Sequence, residues 1–178
     1  MPFEIKDTNI DEVKFINIKR FEDARGFFEE LYRNEIFKKL GIKNKLNQLN
    51  LSFSEKNVFR GFHFQLNPEP QGKLVTVVSG KIIDYAIDLR SNSQYYKKNV
   101  NYELTNGKML YIPEGFAHGF LALENSYVLY LTTNEFNKEL DSGVRYDDKE
   151  LGIKLPDNII ISDKDKNLKY LHELNLDF

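Results

Sequence analysis

Short runs in which apolar and polar residues alternate, each closed by turn residues, recur along most of this 178-residue chain. A period of two puts every second side chain on one face, so the pattern demands strands, and the frequent turns demand that they pair antiparallel. The predicted strands are Val13–Ile18, Phe27–Tyr32, Leu46–Phe53, Val58–Phe64, Leu74–Val78, Lys81–Leu89, Asn99–Leu104, Met109–Ile112, Gly119–Leu123 and Ser126–Thr132. Ser79-Gly80 and Asn106-Gly107 are hairpin signals, the second of the type I′ kind. Helical pattern is scarce. One short helix is expected over Glu35–Leu40, capped by Asn34 and closed by Gly41, and another from Asp165 to Leu174, where Leu168 and Leu171 recur at helical spacing. With no internal repeat and no linker, many short strands and a few peripheral helices predict a single all-β domain over residues 1–178, a jelly-roll barrel or sandwich.

Composition narrows the function classes. Basic and acidic residues nearly balance, 25 against 27, which removes the electrostatic footprint of a nucleic-acid binder. The absence of cysteine excludes disulfides, thiolate nucleophiles and cysteine metal sites. No apolar run approaches the ~18 residues of a membrane span. The opening Met1-Pro2-Phe3-Glu4-Ile5-Lys6-Asp7 lacks the basic-then-apolar order of a secretory signal. A cytoplasmic protein with neither membrane nor nucleic-acid partners is expected.

Two of the three histidines sit in glycine- and aromatic-rich strand segments, Arg60-Gly61-Phe62-His63-Phe64-Gln65 and Gly115-Phe116-Ala117-His118-Gly119-Phe120. Histidine titrates nearest neutral pH, which makes it the default proton carrier of a site. An isolated His63 is most simply a core histidine bonded to backbone. Its neighbours argue for more, because Arg60 and Lys73 put two cations near a potential base, able to bind phosphate or to stabilise an enolate oxygen. On an ideal strand Arg60 and His63 face opposite ways, so they converge only if Gly61 bends or bulges the strand. Alternation also places Gln48, Asn50 and Ser52 on one side of their strand and Leu49, Leu51 and Phe53 on the other. The polar side belongs either to the surface or to a barrel interior wet enough for a polar ligand.

Other candidates have ordinary roles to set beside functional ones. Tyr130 is a half-buried strand tyrosine unless it faces His63 across a substrate, where it could donate a proton. Asp165 is a helix cap or first-turn carboxylate unless it is buried against a histidine, where it would orient the ring and support the imidazolium. A metal-dependent barrel calls for His-x-His with a downstream Glu and a further His. Here the segment reads His63-Phe64-Gln65, and the remaining histidine, His172, falls in a predicted helix. A metal site is therefore disfavoured.

In order along the chain, the motifs resemble those of the dTDP-4-dehydrorhamnose 3,5-epimerase family, metal-free cupins acting on nucleotide sugars. The resemblance runs from Phe21-Glu22-Asp23-Ala24-Arg25-Gly26-Phe27-Phe28-Glu29-Glu30 through Gln48-Leu49-Asn50, Arg60–Gln65 and Lys73. It continues through Gly80, Asp84, Asp88-Leu89-Arg90, Tyr111–Phe120, Tyr130 and Thr132-Thr133 to Ser162-Asp163-Lys164-Asp165. It implies a cupin-type jelly roll, a homodimer, a nucleotide-sugar substrate and no cofactor. By the same resemblance His63 is the base, Asp165 its partner, Lys73 the enolate stabiliser and Tyr130 the acid on the opposite face. Arg60 and His118 line the pocket, while Phe21, Arg25, Glu30, Gln48 and Asn50 match substrate-binding positions, some reached across a dimer interface. The implied reaction inverts C3 and C5 of a dTDP-linked 4-keto-6-deoxyhexose. Glu135-Phe136 departs from the tyrosines usual in a region associated with the nucleotide base. Tyr146 and Leu155-Pro156 replace tryptophan-containing segments, and Phe62 a common leucine. Relatives that invert one carbon or use another nucleotide share the same core. A metal-dependent barrel enzyme and a non-catalytic sugar-binding barrel are the readings from other classes.

Overall fold

The computed structural model describes residues 2–178. Its strands are β1 (Phe3–Lys6), β2 (Lys14–Ile18), β3 (Arg20–Asp23), β4 (Gly26–Glu29), β5 (Gln48–Ser54), β6 (Phe59–Gln65) and β7 (Lys73–Ser79), followed by β8 (Lys81–Asp88), β9 (Asn99–Thr105), β10 (Lys108–Ile112), β11 (Phe116–Ala122), β12 (Ser126–Thr132) and β13 (Asp141–Gly143). The helices are α1 (Asn34–Lys39) and α2 (Asp163–Lys166), with 3-10 turns at Lys149–Leu151 and Leu171–Glu173. Among the described residues no helix is long and apolar enough to cross a membrane.

All strand pairs within the sheets are antiparallel, as the alternation predicts. One sheet has the order β1-β2-β10-β7-β12-β5 and the other β13-β6-β11-β8-β9, while β3 and β4 form a separate hairpin. The two sheets face each other as a jelly roll, filled between by Val75, Val77, Ala86, Leu110, Phe120 and Val128 among others. A second apolar cluster, containing Phe62, Phe64, Tyr85, Ile87 and Leu121, covers the other face of the five-stranded sheet with the help of the C-terminal segment. Strand β11 is consequently buried at every position. A third cluster packs α1 through Phe37 against Phe3, Ile16, Leu74 and Tyr111 on the outside of the six-stranded sheet. Leu49, Leu51, Phe53 and Tyr127, farther along that outer face, remain exposed.

Several local expectations need correction. The strand predicted over Phe27–Tyr32 stops at Glu29, and β1, β3 and β13 lie outside every predicted strand. Asn34 does not cap α1: the cap position is Arg33, and Asn34 Oδ1 instead accepts the Tyr32 hydroxyl at 3.2 Å. The helix predicted from Asp165 to Leu174 is a single turn capped by Ser162, then extended chain, then a 3-10 turn. Lys169 bridges Val144 in parallel, and Leu168 packs over Gly143, where an added Cβ would lie 2.8 Å from a leucine methyl. Leu168 thus packs from the extended stretch and Leu171 from the 3-10 turn, so the two do not share one helical face.

Candidate active site

Convergence of Arg60 and His63 depends on Gly61. In the register between β11 and β6, His118 pairs with His63 and Phe120 pairs with Arg60, so three steps on β6 match two on β11. This bulge turns Arg60 and His63 to the same side. Gly61 has φ +130, and a Cβ there would lie 2.6 Å from the Cα of Gly119 and 2.9 Å from the carbonyl oxygen of His118. Only glycine fits both the backbone conformation and the close approach of the strands.

On that side lies a cavity of about 530 Å³, a size suited to a small ligand, lined by Arg60, His63, Lys73, His118, Tyr130 and Asp165. Six of the residues picked out in the sequence are thus brought together. Ser52, Val58, Phe59, Phe120, Ile160, Ile161, Ser162 and Lys164 complete the wall. The two sheets contribute different groups. Arg60, His63 and His118 come from the five-stranded sheet, and Ser52, Lys73 and Tyr130 from the six-stranded one.

His63 and His118 are cross-strand neighbours, each with its own aspartate. Asp165, almost fully buried in the first turn of α2, accepts His63 Nε2 at 2.7 Å through Oδ1 and the Gly61 N–H at 3.1 Å through Oδ2. A carboxylate only accepts, so it fixes the ring proton on Nε2 and leaves Nδ1 as the basic nitrogen of the neutral ring. Burial pushes the Asp165 carboxyl up, but the His63 bond and charge, with the Gly61 and Ser162 hydrogen bonds, hold it below the usual carboxylate range. Asp165 is thus at once a first-turn carboxylate and hydrogen-bonded to His63. On the neighbouring strand, His118 Nε2 donates to Asp84 Oδ1 at 2.7 Å. Burial holds His118 below its ordinary value despite that carboxylate.

Asp84 is fully buried, and its Oδ2 has no hydrogen-bond partner. Its motif alone assigns it no role; a carboxylate set among Ile82, Ile83, Tyr85 and Ala86 in mid-strand is the signal that marks it. Its charge acts on His118 and also on Lys73. Burial lowers the Lys73 ammonium to about 8, against the pull of Asp84 and Asp141. The Lys73 Nζ donates to the carbonyl of His63 at 3.4 Å. Burial also raises the Tyr130 hydroxyl, so it stays protonated at neutral pH. Arg60 is anchored to Ser54 Oγ and the carbonyl of Phe53, both at 2.9 Å.

The remaining expected residues lie off this cavity. The polar face of β5 does turn inward: Ser52 lines the cavity, and Gln48 and Asn50 continue the row, joined by a 2.8 Å hydrogen bond. Gln48 also accepts the Phe136 N–H at 2.7 Å. Phe21 and Arg25 sit on the exposed β3–β4 hairpin, with Arg25 paired to Asp23 at 2.6 Å, and Glu30 pairs with Arg33. Gln65, which stands where a metal barrel has its second histidine, bonds to loop backbone instead. Among the described residues no group of three or more His, Cys, Asp or Glu is arranged to hold a metal ion.

A sequence model of the dTDP-4-dehydrorhamnose 3,5-epimerase family matches residues 7–173. The chain belongs to this family. It is 42% identical to the dTDP-4-dehydrorhamnose 3,5-epimerase of Methanothermobacter thermautotrophicus over 96% of each chain. The crystal structure of the Sulfolobus tokodaii dTDP-4-dehydrorhamnose 3,5-epimerase superposes with a TM-score of 0.91 at 42% identity, covering 99% of both chains. A Legionella pneumophila 3,5-epimerase solved with dTDP-4-keto-L-rhamnose matches with a TM-score of 0.93 at 36% identity, over 97% of this chain and 95% of that one. Membership makes the chain an isomerase with the cupin-like jelly roll.

Proposed function

We propose that the chain converts dTDP-4-dehydro-6-deoxy-D-glucose to dTDP-4-dehydro-L-rhamnose by inverting C3 and C5. The observation that carries this reading is one cavity lined from the five-stranded sheet by His63, which is hydrogen-bonded to Asp165 of α2, and from the six-stranded sheet by Tyr130. Facing sheets stand ~10 Å apart, room for one sugar ring between a base and an acid. The C4 carbonyl acidifies the hydrogens on both C3 and C5, so one constellation serves both carbons. His63 Nδ1 takes the carbon-bound proton, and the electron pair moves onto the carbonyl oxygen as an enolate. Lys73, with His118 beside it, stabilises that oxygen. Tyr130 then gives its hydroxyl proton to the same carbon from the opposite face. The resulting phenolate regains a proton from the imidazolium through solvent, which resets both groups. Arg60 offers its cation to the diphosphate.

A homodimer is part of the reading. The bare apolar face of Leu49, Leu51, Phe53 and Tyr127 and the exposed hairpin bearing Phe21 and Arg25 support it. In a dimer these hairpin residues would serve the neighbouring copy's cavity. Leu51→Arg is then expected to sediment as a monomer with reduced turnover; an unchanged assembly would remove this face from the interface. The reaction itself is tested by incubating wild-type protein with dTDP-4-keto-6-deoxyglucose in heavy water. Deuterium at C3 and C5 with formation of the L-sugar is expected. Exchange at one carbon only would make it a mono-epimerase, and no exchange with any nucleotide 4-ketosugar would defeat the reading.

A further inference from the structure

Gln65 lies two residues beyond His63 on the same side of β6 and is 2% exposed. Its side-chain nitrogen donates to the carbonyl of Glu69 and, at 3.1 Å, to that of Glu135, while its oxygen accepts the Asn137 N–H at 2.9 Å. The orientation of the amide is dictated by its partners, since reversing it would bring acceptor against acceptor and donor against donor. One side chain thus grips the backbone on both sides of Phe136. The same loop is tied down by Asn134 Nδ2 to the Pro70 carbonyl at 2.6 Å and by Asn137 Nδ2 to Glu69 Oε2 at 3.0 Å.

Phe136 itself is held by Gln48 through its N–H, and the residue is 55% exposed. Gln48 heads the polar row Gln48–Asn50–Ser52, which runs about 13 Å along β5 to the cavity wall at Ser52. A flat apolar ring at the far end of a polar row suits a ligand that is a sugar at one end, polar in the middle and a planar heterocycle at the other.

We propose that Gln65 is a positioning residue for nucleotide binding: its buried amide fixes the Glu135–Asn137 loop so that Phe136 stands ready at the end of the row. This rests on the nucleotide-sugar reading above and adds a residue that acts on affinity while leaving proton transfer at His63 alone.

Gln65→Met keeps the length of the side chain and removes all three hydrogen bonds. The test measures dTDP affinity by calorimetry together with kcat and KM, in the wild type, Gln65→Met, Phe136→Ala and the double variant. Gln65→Met is expected to weaken dTDP binding and raise KM about tenfold, the worth of one net hydrogen bond, with kcat changed less than about twofold. In the Phe136→Ala background the same change should weaken dTDP binding by less than about twofold, a non-additivity that a purely structural role would not produce. If Gln65→Met does not fold, Gln65→Glu, which keeps the acceptor for Asn137 and loses the donor pair, is measured in its place. Unchanged dTDP affinity, a fall in kcat at constant KM, or equal losses in both backgrounds would overturn the proposal while leaving the epimerase reading intact. Wild-type protein that neither binds dTDP nor turns over the 4-ketosugar overturns that reading instead.

Discussion

Replacing Asp165 by asparagine removes one charge and almost no volume, which isolates what the carboxylate contributes. In the wild type its two oxygens accept from His63 Nε2 at 2.7 Å and from the Gly61 N–H at 3.1 Å. An asparagine has one oxygen for these two donors. If the oxygen keeps His63, the amide nitrogen opposes the Gly61 N–H, donor against donor. If it keeps Gly61, the amide donates to His63 Nε2 and moves the ring proton to Nδ1, where the base needs its lone pair. Loss of a hydrogen bond to a charged group costs about 1.5–3 kcal/mol, or roughly 10- to 100-fold in rate. The same carboxylate-to-amide change behind the histidine of a serine-protease triad lowers kcat by about 10⁴ through the wrong tautomer. Asp165→Asn should therefore exchange the C3 proton of dTDP-4-keto-6-deoxyglucose about 10²- to 10⁴-fold more slowly in heavy water, followed by NMR, with dTDP affinity preserved. Stability gives an independent check. The Asp165 carboxyl lies below its unfolded value, so it contributes stability above the ordinary carboxylate range of about 4, and this is lost as pH falls through its folded value. The wild type should out-melt Asp165→Asn at pH 7 and lose that advantage as pH falls below the ordinary carboxylate value of about 4. Exchange within threefold of wild type would refute the assignment of Asp165 to the base.

Lys73→Met should lose about 10²- to 10³-fold in turnover, the usual cost of removing an oxyanion donor. It should also gain stability at neutral pH. The Lys73 ammonium falls to about 8 in the fold against 10.5 for the free group, so its burial opposes folding at pH 7 by ~3 kcal/mol at about 1.4 kcal/mol per pH unit, and the penalty fades as pH rises from 8 toward 10.5. Wild-type turnover should decline above pH 8 as this lysine deprotonates; an alkaline limb that persists in Lys73→Met would assign it elsewhere. Gly61→Ala should cost about 3 kcal/mol in urea unfolding and abolish turnover, because the new methyl group meets the β11 backbone at 2.6 Å and the bulge aligning Arg60 with His63 cannot form. An alanine variant as stable and active as wild type would contradict the role given to that bulge.

The strands were legible because alternation is a local signal and both sheets are antiparallel throughout. Their order across the sheets depends on long-range packing, and nothing in the pattern announced it. Gly61 was legible as a condition, since Arg60 and His63 could share a face only through a bulge, and the register with β11 supplies it. The second helix misled because Leu168 and Leu171 have the right spacing for a helix, yet Leu168 lies half-buried over Gly143 in extended chain and Leu171 is buried from a separate 3-10 turn. Asp84 escaped notice as a partner of His118 because its pairing is made between neighbouring strands, thirty-four residues away in sequence. Phe21, Arg25 and Glu30 were picked out by family pattern, and within a single chain they stand away from the cavity.

The central claim is that proton removal and proton delivery belong to groups on opposite sheets. Tyr130→Phe in heavy water tests this most directly, because it leaves the base and removes only the acid. Recovered dTDP-4-keto-6-deoxyglucose should carry deuterium at C3 with its configuration retained, while formation of the inverted sugar falls at least about 100-fold. Exchange and inversion that fall together, or that both persist at wild-type rates, would contradict the account.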